Sequence, residues 1–346
     1  MTSVLEINGL RKTYRSRGGP RRALDGFDMH VEAGQVHGFL GPNGSGKTTT
    51  LRTLLGLIRA DSGDMKILGQ QIPEALPNVV AHVGAIVESP QFFGNFTAKD
   101  TLSLLCDAGS LPQSRVDWAF ELVGLRERAS EKVKTYSLGM KQRLAVASAL
   151  LKQPRLLILD EPANGLDPGG IREMREMMAT LSAGGMTVVL SSHILSEIEI
   201  ICDNVTIISL GRRVAAGPVS EVLAAYSTGQ VKVALEASAD LSAAAQVLTS
   251  AGIAFHQNAD HLIVSGVDKP AALSRLLAER QLYVSELTPV GVDLESVFLE
   301  LTGTAPVPGQ HRSVDDSVKP EGTSYSGPRG HQPAQGPTGD AEVAQS

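Results

Sequence analysis

The sequence predicts an α/β fold around a parallel sheet, and three stretches predict it. Gly41 to Thr49, GPNGSGKTT, matches G-x-x-x-x-G-K-[ST], with the apolar segment Val36 to Leu40 before it and the Leu-rich run Thr49 to Ile58 after it as the strand and helix the motif requires. Leu156 to Leu159, bounded by Pro154 and Pro162, is a continuous apolar run, as in a strand buried on both faces of a parallel sheet. Thr187 to Leu190 repeats that pattern and runs into Ser191, Ser192 and His193. Asp160 and Glu161 close the second run, at the strand end where open α/β sheets bind ligands.

Composition sets the outer limits. With 346 residues the chain has room for one large domain or two smaller ones. A net charge of −6 and a pI near 5.8 give no broad basic footprint, so nucleic acid is not an expected partner. Cys106 and Cys202 are far apart and outside any metal-ligand spacing, which suits free structural thiols in a reducing compartment. No signal peptide is visible, and no apolar run approaches the roughly 20 residues that span a bilayer. The expectation is a cytoplasmic protein; any work at a membrane would need another polypeptide to span it.

In chain order, Val4 to Ile7, Phe27 to Val31 and Val36 to Leu40 read as short strands, with a positively charged loop, KTYRSRGGPRR, between the first two. Tyr14 stands at that loop's entrance, where it either packs an edge or stacks on a base. In the phosphate loop, Gly41, Gly44 and Gly46 let the backbone around Pro42, Asn43 and Ser45 curl so that N–H groups point inward, and the next helix begins at Lys47, Thr48 and Thr49. Lys47 is expected on the β- and γ-phosphates and the Thr48 hydroxyl on Mg²⁺. Leu51, Leu54, Leu55 and Ile58 recur at helical spacing and face the core. Met65 to Leu68 and Val83 to Val87 read as strands, and Ala98 to Lys152 turns helical, an α-helical insertion.

Two adjacent carboxylates beside a phosphate site point to Mg²⁺ chemistry rather than to an acidic strand end. Asp160 is expected to hold the metal through water, and Glu161 to orient and deprotonate the attacking water. A helix from about Gly170 to Leu181 separates them from the third strand. His193 at that strand's end is either a capping residue or a hydrogen-bond partner of the γ-phosphate.

From these motifs and from YSLGMKQR, Tyr136 to Arg143, the chain resembles the ATP-binding subunits of ABC transporters over about Val4 to Gly217. The resemblance implies an ABC-type domain over residues 1–217, with an antiparallel β subdomain and a helical subdomain at about 98–152. It implies ATP and Mg²⁺ as ligands, Tyr14 as the adenine-stacking aromatic, Asn164 to Asp167 as the loop linking two active sites, and His193 as the switch histidine. Ser137 can cap the helix that begins near Gly139, and in this family that helix end faces ATP held by a second copy. A dimer would therefore sandwich two ATP molecules. Leu138 and Met140 stand where the signature more often has Gly and Gln.

Glu88 stands where the family usually has a Gln that senses Mg²⁺, and a carboxylate there can still bind the metal. This Glu form, with SLGMKQR and SSHILSE, resembles ATPases of bacitracin-resistance and lantibiotic-immunity exporters and of daunorubicin-type drug exporters. The implied function is ATP hydrolysis driving efflux through a separate polytopic permease, with this chain peripheral on the inner face of the membrane. The competing reading, a soluble ABC ATPase working on a ribosome or nucleic acid, resembles proteins with paired ATPase units or a long coiled coil, neither of which is visible. Phe92, Phe93 and Phe96 either meet a coupling helix of the permease or pack the helical insertion.

Beyond Gly217 the order Val231 to Leu235, Leu241 to Leu248, Ile253 to His256, Leu262 to Val264, Ala271 to Leu277 and Tyr283 to Leu287 reads β-α-β-β-α-β, a small ferredoxin-like α+β domain over 218–303. Val292 to Gly303 resembles the closing segment of drug-exporter ATPases, as a regulatory or dimer-stabilising module or as packing on the main domain. Residues 304–346, rich in Pro, Gly, Gln and Ser, are expected to be disordered.

Overall fold

Alternating apolar residues near the N-terminus build a long hairpin. The computed structural model describes residues 3–16, 19–87, 91–192, 194–226, 229–266 and 270–303. In it β1 (Ser3–Ser16) and β2 (Gly19–Glu32) pair antiparallel, with Tyr14 opposite Arg21. Most of the segment expected as a charged loop is thus strand. Backbone pairing continues where both faces are wet, so the ladder persists after the apolar alternation that would reveal it has stopped.

β3 (Val36–Leu40) is buried throughout and feeds the phosphate loop and α1 (Lys47–Leu54). This helix is shorter than the expected run to Ile58, because the chain turns at Gly56, which has a positive φ of 70°. β4 (Ser62–Ile67) and β5 (Gln70–Ile72) complete an antiparallel sheet in the order β2-β1-β4-β5. After α2 (Leu76–Val79) and β6 (Val83–Ile86) comes the helical insertion, with α3 (Ala98–Ala108), α4 (Ser114–Leu122) and α5 (Leu138–Leu150). Thr97 and Asp100 close a reciprocal capping box at the start of α3.

β7 (Leu156–Leu159), α6 (Pro168–Ala183), β8 (Thr187–Ser192), α7 (Leu195–Ile201), β9 (Asn204–Ser209) and β10 (Arg212–Pro218) follow. Together with β3 and β6 these strands form a six-stranded sheet in the order β10-β9-β3-β8-β7-β6, parallel except at β10. Its central strands β3, β7 and β8 are buried on both faces because each face has its own core. Leu156 and Ile158 of β7 pack with Phe27, Phe39 and the antiparallel sheet, while Leu157 and Leu159 pack with the helices.

The remaining elements are α8 (Val219–Ala225), β11 (Val231–Leu235), α9 (Leu241–Ser250), β12 (Phe255–Gln257), β13 (Leu262–Val264), α10 (Pro270–Ala278), β14 (Val284–Pro289) and α11 (Leu294–Thr302). β11 to β14 form an antiparallel sheet in the order β12-β13-β11-β14, the ferredoxin-like arrangement, over a core of its own with α9 and α10. α11 leaves that core. Its Leu294 and Val297 are fully buried in the helical core beside Leu195 and Ile198 of α7, and the Leu294 N–H donates to Glu199 Oε2 at 2.9 Å. The expected disordered tail, 304–346, lies outside the described residues.

Candidate nucleotide site

Two glycines fix the shape of the phosphate loop. A Cβ at Gly41 would overlap the Ile208 carbonyl oxygen, and one at Gly46, whose φ is 119°, would stand 2.7 Å from the Ala23 carbonyl oxygen. Only a residue without a side chain fits either place. The loop therefore lies tight on the sheet edge, with its open side toward a cleft of about 440 Å³ lined by Tyr14, Arg21, Ala23, Pro42, Asn43, Gly44, Gly46, Lys47, Thr48, Thr49 and Glu161.

Lys47, 6% exposed, donates from Nζ to the Gly41 carbonyl oxygen at 2.6 Å and lies 4.0 Å from Glu161 Oε1. Burial lowers its pKa, against the opposing pull of Glu161 and Asp160. A buried ammonium with one carboxylate at the edge of ion-pair distance is suited to an incoming polyanion. Thr48 Oγ1 donates to Asp160 Oδ2 at 2.8 Å, joining the helix start to the end of β7. This hydroxyl–carboxylate pair has the hard oxygen donors that suit Mg²⁺, and the glycine cradle and buried Lys47 fit a nucleoside triphosphate. Ser45 Oγ, buried under the loop, has no partner among the described residues.

At the base end, Tyr14 is 38% exposed with Lys12 Nζ 5.6 Å from its ring centroid. Arg21, across the hairpin, brings its guanidinium to 3.0 Å from the Cβ position of Gly44. The expected residues from Tyr14 to Glu161 on this side thus share one cleft, except that Gly41 and Ser45 lie beneath it and Asp160 reaches it through Thr48. Glu88 and His193 lie outside the described residues.

Ser137 and Gly139 are not among the residues lining the cleft. Ser137 caps α5, its hydroxyl accepting the Met140 N–H at 3.2 Å, and α5 is tied to the loop Asn164 to Asp167 by Gln142 Nε2 donating to the Asn164 carbonyl at 3.0 Å. Between α5 and the end of β7 lies a second cleft of about 440 Å³, shared by Phe92, Leu138, Gln142, Asp160 and Glu161. Phe92 packs on the helical core, whereas Phe93 and Phe96 are exposed with ring centroids 5.4 Å apart.

Sequence reading missed two residues of the site. Arg21 is one, and the sequence carried no signal for it, because only the pairing of β1 with β2 sets it opposite Tyr14. The other is Ser191, fully buried on β8, whose Oγ donates to Asp160 Oδ1 and accepts the Glu161 N–H at 2.9 Å. Its signal was a hydroxyl following an apolar strand run, immediately before the site edge.

Comparison with known proteins gives one consistent result. The family model described as ABC transporter matches residues 24–164. The chain is 38% identical over 314 residues to an uncharacterized ABC transporter ATP-binding protein, YhcH, of Bacillus subtilis, covering 90% of this chain and 100% of that one. It is 36% identical over 310 residues to the bacitracin transport ATP-binding protein BcrA of Bacillus licheniformis, covering 88% and 98%. Among solved structures it is similar to cbiO1 of Clostridium perfringens, part of the ABC transporter complex cbiONQ, with a TM-score of 0.59 and 28% identity over 65% of this chain and 92% of that chain.

Proposed function

Because this chain belongs to the ABC transporter family of ATP-binding proteins, we propose that it is the ATP-hydrolysing subunit of an exporter for a drug, an antibiotic or an antimicrobial peptide. The similarity to a bacitracin transport protein over almost the whole of both chains supports that substrate class. The chain is an ATPase, and one observation carries the assignment of roles. Buried Lys47, the Thr48–Asp160 bond and Glu161 converge at the C-terminal ends of β3 and β7.

Lys47 holds the β- and γ-phosphates, and its burial strengthens that contact. The loop N–H groups from Asn43 to Thr49 take the remaining phosphate oxygens, and Tyr14 stacks on the adenine. Thr48, Asp160 and Glu88 would hold Mg²⁺, which would supply positive charge to offset that developing on the transferred phosphate. Glu161 accepts the proton of the attacking water, and His193 is assigned to steadying that water.

The exposed cap of α5, with Ser137 and Gly139, serves a second copy of the chain, so ATP closes a dimer in which each site is shared. Residues 1–217 form the ATP-binding domain and 218–303 an accessory domain. No helix among the described residues is long and apolar enough to cross a membrane, which supports a separate polytopic permease holding this chain at the inner membrane face.

The test is Glu161→Gln. ATP binding by the full chain should persist while phosphate release falls roughly 10²-fold or more and a closed dimer accumulates on size-exclusion chromatography with MgATP. Rapid turnover by that variant would remove Glu161 from the role of base.

A further inference from the structure

We propose that Ser191 is a positioning residue for hydrolysis, a single buried hydroxyl that sets both the metal-side carboxylate of Asp160 and the backbone turn that presents Glu161. The proposal rests on the roles given above to Asp160 and Glu161. Ser191 is 0% exposed on β8, between β3 and β7, opposite Phe39 of the strand that feeds the phosphate loop. Its Oγ does two things at once. It donates to Asp160 Oδ1, and it accepts the Glu161 N–H at 2.9 Å.

Thr48 Oγ1 donates to the other oxygen of Asp160 at 2.8 Å, so both carboxylate oxygens accept and the side chain has one orientation. Glu161 has a φ of 51°, the left-handed region that a side chain bearing Cβ rarely adopts. The bond to Ser191 holds the N–H of that turn, and the turn directs Glu161 Oε1 to 4.0 Å from Lys47 Nζ. A group at this point must donate and accept together, which a hydroxyl does and a methyl cannot.

The test compares full-length Ser191→Ala, Ser191→Thr and Asp160→Asn. Three quantities are measured: binding of a fluorescent ATP analogue in EDTA, the Mg²⁺ concentration for half-maximal phosphate release, and kcat. Removing a partner that orients a metal ligand typically costs 10–100-fold in metal affinity or activity. Ser191→Ala should therefore bind nucleotide in EDTA within about twofold of the parent, need about tenfold more Mg²⁺ and lose about tenfold or more in kcat. Ser191→Thr should recover most of both losses.

A general packing defect would instead weaken binding in EDTA and would leave the Mg²⁺ requirement where it was. If Ser191→Ala does not fold, Ser191→Cys keeps the volume with a much weaker donor and takes the same measurements. Wild-type Mg²⁺ dependence and kcat in the alanine variant, with both altered in Asp160→Asn, would overturn the role of Ser191 alone. An unaltered Mg²⁺ requirement in Asp160→Asn would overturn the role of Asp160, and that of Ser191 with it. A threonine variant that binds nucleotide normally in EDTA but stays slow would also count against the hydroxyl.

Discussion

His37 and Lys47 are both buried basic residues, and their neighbours give them opposite fates. Lys47 has Glu161 and Asp160 to oppose the cost of burial. His37, inside β3, has only Thr206 Oγ1 at 2.9 Å on Nε2; Nδ1 has no partner among the described residues, and burial pushes its pKa down to about 4. The folded imidazole is therefore neutral, while in the unfolded chain it takes a proton near the ordinary value of about 6.5. Between those two pH values the unfolded state binds more protons, so stability is complete above the upper one and is lost as pH falls toward the lower. From pH 7 to pH 5 the loss from this one group should be roughly 2 kcal/mol. His37→Gln, which cannot titrate, should show a pH-dependent drop in urea unfolding free energy smaller by about that amount; an unchanged drop would place the acid sensitivity elsewhere.

Among elements, β3 and β7 match their expected bounds because a strand apolar on both faces, cut off by Gly or Pro, leaves little room for another boundary. β11 and β13 match for a related reason: short apolar runs against a small core of their own. The hairpin tip of β1 and β2 escaped because its side chains are wet and carry no periodicity, although the backbone ladder runs on. In the site, the motif residues were legible because phosphate chemistry demands Gly, Lys and carboxylates at fixed spacing. Ser191 was less so, since its partners Asp160 and Glu161 follow the end of a neighbouring strand and only pairing of β7 with β8 brings them together. α11 was legible as a helix, but its seat was not. Leu294 is fully buried and joins the helical core beside α7, so Leu294→Ala should cost about 2–5 kcal/mol, read as a lower urea midpoint. Leu104→Ala, at an exposed position of α3, should change it by less than about 0.5 kcal/mol. Equal effects from the two would mean that α11 is not held by that packing.

At the scale of the whole molecule, the proposed work at a membrane calls for a surface contact that passes force to the permease, and no helix among the described residues is long and apolar enough to cross a membrane. Phe93, 69% exposed, and Phe96, 42% exposed, offer such a surface just before α3, with Phe92 anchoring the same loop on the helical core. Two neighbouring aromatic rings left in water are costly unless a partner covers them, and aromatic anchors dominate the centres of protein interfaces. The loop also borders the cleft that holds Asp160 and Glu161, so a partner seated there would be close to the carboxylates. Phe93→Asp places a charge in the middle of the patch without touching the phosphate loop. Co-expressed with the polytopic membrane protein proposed as its partner, this variant should lose co-purification by about tenfold or more, the effect of about 1.4 kcal/mol or more at a contact centre. Its nucleotide binding should stay within about twofold of the parent, because Phe93 lies outside the nucleotide cleft. Undiminished co-purification would mean that the aromatic pair is not the permease contact, and a parallel fall in nucleotide binding would mean that it shapes the cleft instead.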